Sequence, residues 1–103
     1  MSAINAIRER AIRELRRMVL AALGDREAEI WLFGSCARGD VRTHSDIDIA
    51  ILPREPLPAA FLAGLAAHIE DSLIPYDVDL VDLRHADPAL AEEVRREGLK
   101  WRG

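Results

Sequence analysis

Acidic residues at the start of a hydrophobic strand pattern constrain this chain more than any other feature. Residues 46–52 are rich in isoleucine and alternate with Asp46 and Asp48. Aspartate is depleted from β-strands because its short side chain competes for backbone hydrogen bonds. Residues two apart in a strand project to one face, roughly 6.6 Å apart along it. The pattern therefore predicts a strand with two carboxylates on one face and isoleucines on the other, ended by Pro53.

A second strand pattern, residues 76–81, carries Asp77 and Asp79 at the same spacing. If the two strands are neighbours, up to four carboxylates converge on one patch. Such like charges repel each other, and a divalent cation removes the repulsion. Mg²⁺ takes one or two carboxylates and completes its shell with water and substrate phosphates, and two such ions can serve nucleotidyl transfer. The alternative interpretation of these aspartates is an exposed polar face of the sheet.

A phosphate-binding loop is predicted at Gly34 and Ser35, which directly follow the apolar strand pattern 30–33. Glycine lets a phosphate approach the backbone closely, and a serine hydroxyl with neighbouring N–H groups can hold it. Arg38 and Arg42 follow closely enough to neutralise a triphosphate. A Gly-Ser pair by itself is an ordinary turn signal, so the prediction depends on its spacing to the aspartates.

The remaining pattern predicts one mixed α/β domain over residues 1–103, with the order α-β-β-α-β-α. Helices are expected over residues 2–23, from Phe61 to Leu73, and from Asp87 to Gly98. A last short strand over residues 99–101 would complete a mixed sheet of three to four strands flanked by helices. The first helix is predicted to bury a stripe at helical spacing and to place its arginines and glutamates opposite. The stripe consists of Ile4, Ile7, Ala11, Leu15, Met18 and Ala22.

Composition excludes several classes of protein. The 18 acidic and 14 basic residues give a net charge of −4, which argues against duplex DNA as the main partner. The single cysteine, Cys36, excludes an internal disulfide. Glu9 and Glu14 interrupt the basic N-terminal stretch, unlike a transit peptide, and no apolar stretch reaches the roughly 20 residues of a membrane helix. We therefore expect a cytoplasmic protein.

The spacing of these motifs resembles that of a known family. Gly34 and Ser35, ten further residues, and Asp46 and Asp48 match the Gly-Ser-x10-Asp-x-Asp signature of the DNA polymerase β-like nucleotidyltransferase superfamily. The run 78–83 is similar to the strand that carries the third carboxylate in its minimal members. The resemblance spans nearly the whole chain and implies the polymerase β-like nucleotidyltransferase fold.

The resemblance also implies residue roles. Asp46 and Asp48 would ligate two Mg²⁺ ions, and Asp79 would bind the ion nearer the attacking hydroxyl and help to activate it. Asp79 fits the family pattern better than Asp77 does, and Asp82 has the opposite parity and should face away from the metals. The implied nucleotide-binding residues are Gly34, Ser35, Arg38, Arg42 and Ser45. Cys36 stands where these proteins often carry an arginine, which puts one phosphate contact in doubt.

The resemblance also implies a biological function. Stand-alone minimal nucleotidyltransferases resemble the antitoxin half of two-gene toxin–antitoxin modules whose other half is a HEPN-domain ribonuclease. The resemblance implies a type VII-like antitoxin that moves AMP from ATP to a hydroxyl on that partner toxin, with a tyrosine as the expected acceptor. The chain has little material for an acceptor pocket, so the acceptor is expected to come with another protein. Three alternatives stay open: a small-molecule (aminoglycoside-type) nucleotidyltransferase, a catalytically silent antitoxin that acts by binding alone, and a nucleic-acid nucleotidyltransferase, which the acidic balance disfavours.

Overall fold

A four-stranded mixed sheet with three helices makes up the residues that the computed structural model describes, which are 3–34 and 46–102. This arrangement confirms the predicted α/β class and the order of the elements. In chain order they are α1 (Ala3–Leu23), β1 (Ala28–Phe33), β2 (Ile47–Pro53), α2 (Phe61–Glu70), β3 (Val78–Asp82), α3 (Pro88–Glu97) and β4 (Leu99–Arg102).

The strands lie in the order β3-β2-β1-β4. β1 is antiparallel to both β2 and β4, whereas β2 and β3 are parallel. A parallel pair needs a crossover connection, and α2 supplies it here. The parallel pairing brings the N-terminal ends of β2 and β3 to one end of the sheet, beside the C-terminal end of β1. The acidic pairs of both strand patterns therefore lie at that end of the sheet.

Each face of the sheet has its own apolar core. Ile47, Ile49 and Ile51 are fully buried on one face, against Leu15 and Val19 of α1 and the buried residues of α2. The other face packs Trp31 and Ala50 against Val94 of α3 and against Leu83. Strand residues alternate between the faces, so the isoleucines of β2 occupy one core and leave Asp48 on the other face.

The buried stripe of α1 differs from the prediction at its first turns. Ile7, predicted to be buried, is 51% exposed, whereas Arg8, predicted to lie on the polar face, is only 3% exposed. Ala22 is exposed and Leu23 is buried at the other end, while the middle of the stripe is as predicted. The predicted positions advance by about 3.6 residues per step, as a straight helix does, whereas the buried positions Arg8, Ala11, Leu15, Val19 and Leu23 advance by about 3.75. The face that α1 buries therefore winds slowly around the helix relative to the predicted stripe.

The prediction that α2 extends to Leu73 is wrong, because the helix ends at Glu70 and Leu73 is fully exposed. The N–H of Ser72 bonds to the carbonyl of Ile69, and its hydroxyl also donates to that carbonyl. The N–H of Ile74 then donates to the same hydroxyl at 3.3 Å. A serine that takes over backbone partners in this way favours a turn over a further helical turn.

The strand boundaries also shift by one or two residues. Pro53 is the last residue of β2 rather than its stop, and Asp46 and Asp77 lie just before their strands. The backbone ladder nevertheless begins between them, because the N–H of Ile47 donates to the carbonyl of Asp77 at 2.9 Å. No helix in the described ranges is long and apolar enough to cross a membrane.

Candidate active site

Asp48 lies at the centre of the predicted site, in a row of residues that crosses three strands. It pairs with Phe33 of β1 on one side and with Asp79 of β3 on the other. Residues in register on neighbouring strands project to the same face, with their backbones about 4.8 Å apart. The carboxylates of Asp48 and Asp79 therefore stand side by side, the first half-buried and the second exposed. The two acidic strands are thus neighbours, which is the condition under which the sequence places their carboxylates close together.

Gly34 closes the row on the β1 side. It follows Phe33 directly and has a φ of +74°, a conformation in which side chains are strained. A Cβ at this position would lie 3.2 Å from Cγ of Asp48 and closer still to its Oδ2. Only glycine leaves room for that carboxylate. From the sequence, this glycine is explained by the close approach of a phosphate to its backbone. Nothing in the sequence indicates that the carboxylate of Asp48 lies where a Cβ of residue 34 would be.

Asp46 and Asp77 flank the row, each directly before the first residue of its strand. Both are exposed, and the hydrogen bond between Ile47 and Asp77 holds the two strand starts together. In the described part of the chain, no three residues of the types His, Cys, Asp and Glu stand close enough to form a ready-made metal site. The geometry brings Asp48 and Asp79 together but does not gather all the predicted carboxylates around one point.

The donor set fits Mg²⁺ despite the small number of clustered ligands. Mg²⁺ commonly uses one or two carboxylates and keeps water and substrate phosphates as its other ligands. Asp48 and Asp79 supply two hard oxygen donors in register, and Gly34 carries no side chain that would displace the carboxylate of Asp48. This pair is therefore suited to a metal that arrives with a nucleotide rather than to a fully protein-ligated ion.

A contact that sequence reasoning missed supports the start of β3. The guanidinium carbon of Arg8 lies 4.3 Å from the centre of the Tyr76 ring, and Arg8 is almost fully buried. Such a cation–π contact is strong when it is shielded from water. Tyr76 immediately precedes Asp77, so α1 anchors the segment that leads to Asp79. The helical pattern does not predict this contact, because it places Arg8 on the solvent-exposed face of α1.

Asp82 lies away from the candidate site, in agreement with the parity argument. It pairs with Ile51 at the far end of β3. Its Oδ1 accepts the backbone N–H of Arg84 at 2.9 Å, and its Oδ2 lies 4.0 Å from Nε2 of His85. This carboxylate organises the turn after β3. The predicted site residues Ser35, Arg38, Arg42 and Ser45 lie outside the described residues, as does Cys36.

Comparisons with known proteins identify a nucleotidyltransferase family and a related adenylyltransferase. Residues 25–100 match the family model described as polymerase beta, nucleotidyltransferase, which covers most of the chain. The chain is 42% identical to the protein adenylyltransferase MntA of Shewanella oneidensis over 72% of its own length and 52% of that protein. It thus spans about half the length of this curated relative.

Two solved toxin–antitoxin structures contain a chain whose fold is similar to this one. A toxin–antitoxin structure with AMP-PNP matches with a TM-score of 0.69 and 35% identity, over 85% of this chain and 73% of that one. A complex of the tri-AMPylated Shewanella oneidensis HEPN toxin with an MNT antitoxin matches with a TM-score of 0.68 and 29% identity, over 92% and 72% of the two chains. On its family match and its sheet of paired aspartates, the chain belongs to the polymerase beta nucleotidyltransferase family.

Proposed function

We propose that this chain is a magnesium-dependent protein adenylyltransferase that moves AMP from ATP to a hydroxyl group of a HEPN-type toxin. The observation that carries the proposal is the row Gly34, Asp48 and Asp79, in which a glycine backbone and two carboxylates adjoin at one end of the sheet. The relatives that combine this family with a nucleotide analogue or an AMPylated toxin support the choice of ATP and of a protein acceptor.

In the proposed reaction, the oxygen of the acceptor hydroxyl attacks the α-phosphorus of ATP. A new oxygen–phosphorus bond forms, the bond from the α-phosphorus to the bridging oxygen of the β-phosphate breaks, and pyrophosphate leaves. Bound Mg²⁺ would neutralise the charge on the phosphates and favour the ionised acceptor. Asp46, Asp48 and Asp79 would hold it.

The chain's own residues divide the remaining work. From the family resemblance we assign Gly34 and Ser35 to the β- and γ-phosphates of ATP. Asp48 is half-buried, with Gly34 on one side and Asp79 on the other, and we assign it to hold Mg²⁺ at the centre of the site. Asp79 is exposed on an outer strand of the described sheet, where an acceptor from another protein can approach it. We therefore assign Asp79 to orient the acceptor hydroxyl and take part in its deprotonation, and we infer a tyrosine as acceptor from the family resemblance.

The test is AMP transfer with ATP labelled at the α-phosphate. The chain is incubated with Mg²⁺ and either lysate of its source cell or the purified HEPN toxin of Shewanella oneidensis, and products are separated on protein gels and by thin-layer chromatography. A labelled protein band that disappears with the Asp46→Asn, Asp48→Asn double variant, and persists with Asp82→Asn, supports the proposal. Mass spectrometry of the labelled band then locates the acceptor residue.

Two other results would replace the proposal. Label in a small molecule would favour the aminoglycoside-type alternative. Absence of transfer, combined with tight binding of the toxin by both the unchanged chain and the double variant, would favour an antitoxin that acts by contact alone.

A further inference from the structure

The strand that carries Asp79 forms one outer edge of the sheet. In the described ranges, β3 pairs with β2 on one side and with no strand on the other, and we name this outer side the β3 edge. All five residues of β3 are half-buried or exposed, whereas five of the seven residues of β2 are buried. The β3 edge therefore adjoins the candidate active site directly and is the less covered side of the parallel pair.

The backbone groups that point outward along the β3 edge belong to Val78 and Leu80. The carbonyl of Asp77 accepts an N–H from β2 and the N–H of Leu83 donates to a carbonyl of β2, both at 2.9 Å. In a parallel ladder every second residue bonds to the same neighbouring strand, so Asp79 also directs its backbone groups to β2. Val78 and Leu80 have the opposite parity, and their N–H and C=O groups point to the outer side.

The other edge of the sheet, β4, has the features that keep an edge strand from pairing. It has only four residues, and its register against β1 is interrupted by a shift. Nζ of Lys100 donates to Glu29 at 3.0 Å, and Arg102 donates to the carbonyl of Gly24 at 3.2 Å. Short strands, irregular register and charged side chains all hinder strand addition. Because β3 keeps an unbroken register with β2 over its five residues, it is the better template for an added strand.

A strand that pairs with the β3 edge extends the row of the active site by one residue. Residues in register on neighbouring strands lie about 4.8 Å apart and project to the same face. Phe33, Asp48 and Asp79 already form such a row, on the face that α1 and α2 do not cover. The residue of an added strand opposite Asp79 therefore projects its side chain beside that carboxylate, on the side away from Asp48. This is the place that the proposed reaction requires for the acceptor hydroxyl.

Charge restricts what can pair with the β3 edge. Asp77 and Asp79 are both exposed and have the same parity, so their carboxylates lie on one face. Like charges on paired strands destabilise the pair, which disfavours β3 of a second copy as the occupant. The basic residues of β4 in a second copy already contact their own chain. A segment with a lysine or arginine close to its hydroxyl residue complements the two carboxylates.

We propose that the acceptor protein binds as an extended segment along the β3 edge, with its hydroxyl residue opposite Asp79. The proposal rests on the proposed function, because it takes the acceptor of AMP as the occupant of this edge. Backbone hydrogen bonds to Val78 and Leu80 supply affinity, as they do in other proteins that bind a peptide by strand addition. A basic residue of the segment faces Asp77 and Asp79. The geometry of the sheet then sets the position of the hydroxyl residue relative to Asp79.

The first test is amide hydrogen exchange, measured by NMR with and without the acceptor protein. The probes are the Shewanella oneidensis HEPN toxin and any protein labelled in the transfer experiment, added without nucleotide so that no AMP is transferred. In the free chain, the amides of Asp79 and Val81 should exchange slowly because they bond to β2, and those of Val78 and Leu80 should exchange fast. The acceptor protein should slow the second pair at least about 10-fold and leave the amides of β4 unchanged.

The second test removes one outward N–H group. Val78→Pro deletes it at the first residue of an edge strand, a position that accepts proline. Val78→Ala is the matched control, since it shortens the same side chain and keeps the N–H. We expect Val78→Pro to raise the KM for the acceptor protein about 10-fold more than Val78→Ala does, with the Kd of Mg²⁺–ATP unchanged in both variants. If Val78→Pro does not fold, the exchange measurement on the unchanged chain decides.

The third test concerns charge. Asp77→Lys should weaken binding of the same probes, and raising the salt concentration should reduce the difference because exposed charges are screened. Asp25→Lys is the matched control, since Asp25 is also exposed but precedes β1 at the opposite end of the sheet. Equal binding by the two variants would contradict a basic segment at this edge.

The outcomes separate docking from chemistry. An acceptor protein that is AMPylated but leaves exchange at Val78 and Leu80 unchanged overturns the docking proposal, while the proposed function stands. Protection of these amides without any transfer supports docking and counts against the proposed function. Slow exchange of these amides in the free chain would assign the edge to another part of the chain or, where it depends on concentration, to a second copy. Either result overturns the proposal, as does an unchanged chain that binds neither probe.

Discussion

The backbone of Gly34 lies directly against the carboxylate of Asp48, across the β1–β2 pair. The two residues belong to separate motifs of the sequence, the Gly-Ser pair and the Asp-x-Asp pair. Their contact means that the first motif shapes the second before any nucleotide arrives. Asp79 lies on the other side of Asp48, so the position of this one carboxylate connects all three parts of the candidate site.

Replacing Gly34 with alanine should damage both stability and function. Its φ of +74° makes a side chain strained, at a cost of about 1–2 kcal/mol, and the new Cβ would displace the carboxylate of Asp48. We expect a corresponding loss in the free energy of unfolding, measured by urea denaturation, and loss of AMP transfer.

The matched control for Gly34 is Gly64→Ala. Gly64 lies inside α2, and a Cβ added there would meet no atom within 4 Å, so alanine should stabilise the helix by about 0.5–1 kcal/mol. A Gly34→Ala protein that is as stable and as active as the unchanged chain would contradict the contact.

Asp79 and Asp82 should respond differently to the same substitution. Asp79→Asn should reduce AMP transfer by at least about 100-fold. Loss of a residue that only hydrogen-bonds to a metal ligand already lowers metal affinity or activity roughly 10- to 100-fold, and Asp79 is assigned as a ligand itself. Asp82→Asn retains an oxygen that accepts the N–H of Arg84, so activity and stability should both persist. Initial rates with labelled ATP provide the comparison, and equal loss in the two variants would remove Asp79 from its assigned role.

Mg²⁺ and ATP together should raise the Tm of the chain. A ligand at about 100 times its Kd stabilises the folded state by about 2.7 kcal/mol, which corresponds to a shift of about 10 °C or more for a domain of this size. The double variant Asp46→Asn, Asp48→Asn should show no shift, and its Tm without ligands should stay the same or rise because like charges no longer repel. An equal shift in both proteins, seen by thermal denaturation, would place the nucleotide elsewhere.

Gly98 offers a variant that affects stability without touching the site. A Cβ there would lie 2.5 Å from the carbonyl oxygen of Val94 and 3.2 Å from Cδ1 of Trp31. These atoms belong to helix backbone and buried core, so Gly98→Ala should cost about 1–3 kcal/mol, the usual cost of overpacking. The Kd of Mg²⁺–ATP, measured by calorimetry on the folded protein, should not change. A weakened Kd would instead indicate that the packing of α3 and β4 influences the row around Asp48.

The sequence by itself determined the order of the helices and strands and the motifs to which the chemistry is assigned. Alternation at residues 46–52 predicts β2 because the side chains of a strand alternate between its faces, and the same periodicity sets Asp82 apart from Asp79. Asp46, which the pattern places with Asp48, lies just before β2 in the structure. The cap at Asp87 also predicts the start of α3, since its carboxylate accepts the N–H of Ala89 at 2.8 Å. All these signals are local.

Only the tertiary structure decided which residues from different elements meet. The register that sets Asp48 beside Asp79, the fit of Gly34 against Asp48 and the burial of Arg8 over Tyr76 each join residues far apart in the chain. Local periodicity carries no information on how strands align or how a helix rotates on a sheet. The packing of both cores selects the alignment of the strands. Leu73 is exposed because α2 ends before it, where the hydroxyl of Ser72 donates to the carbonyl of Ile69.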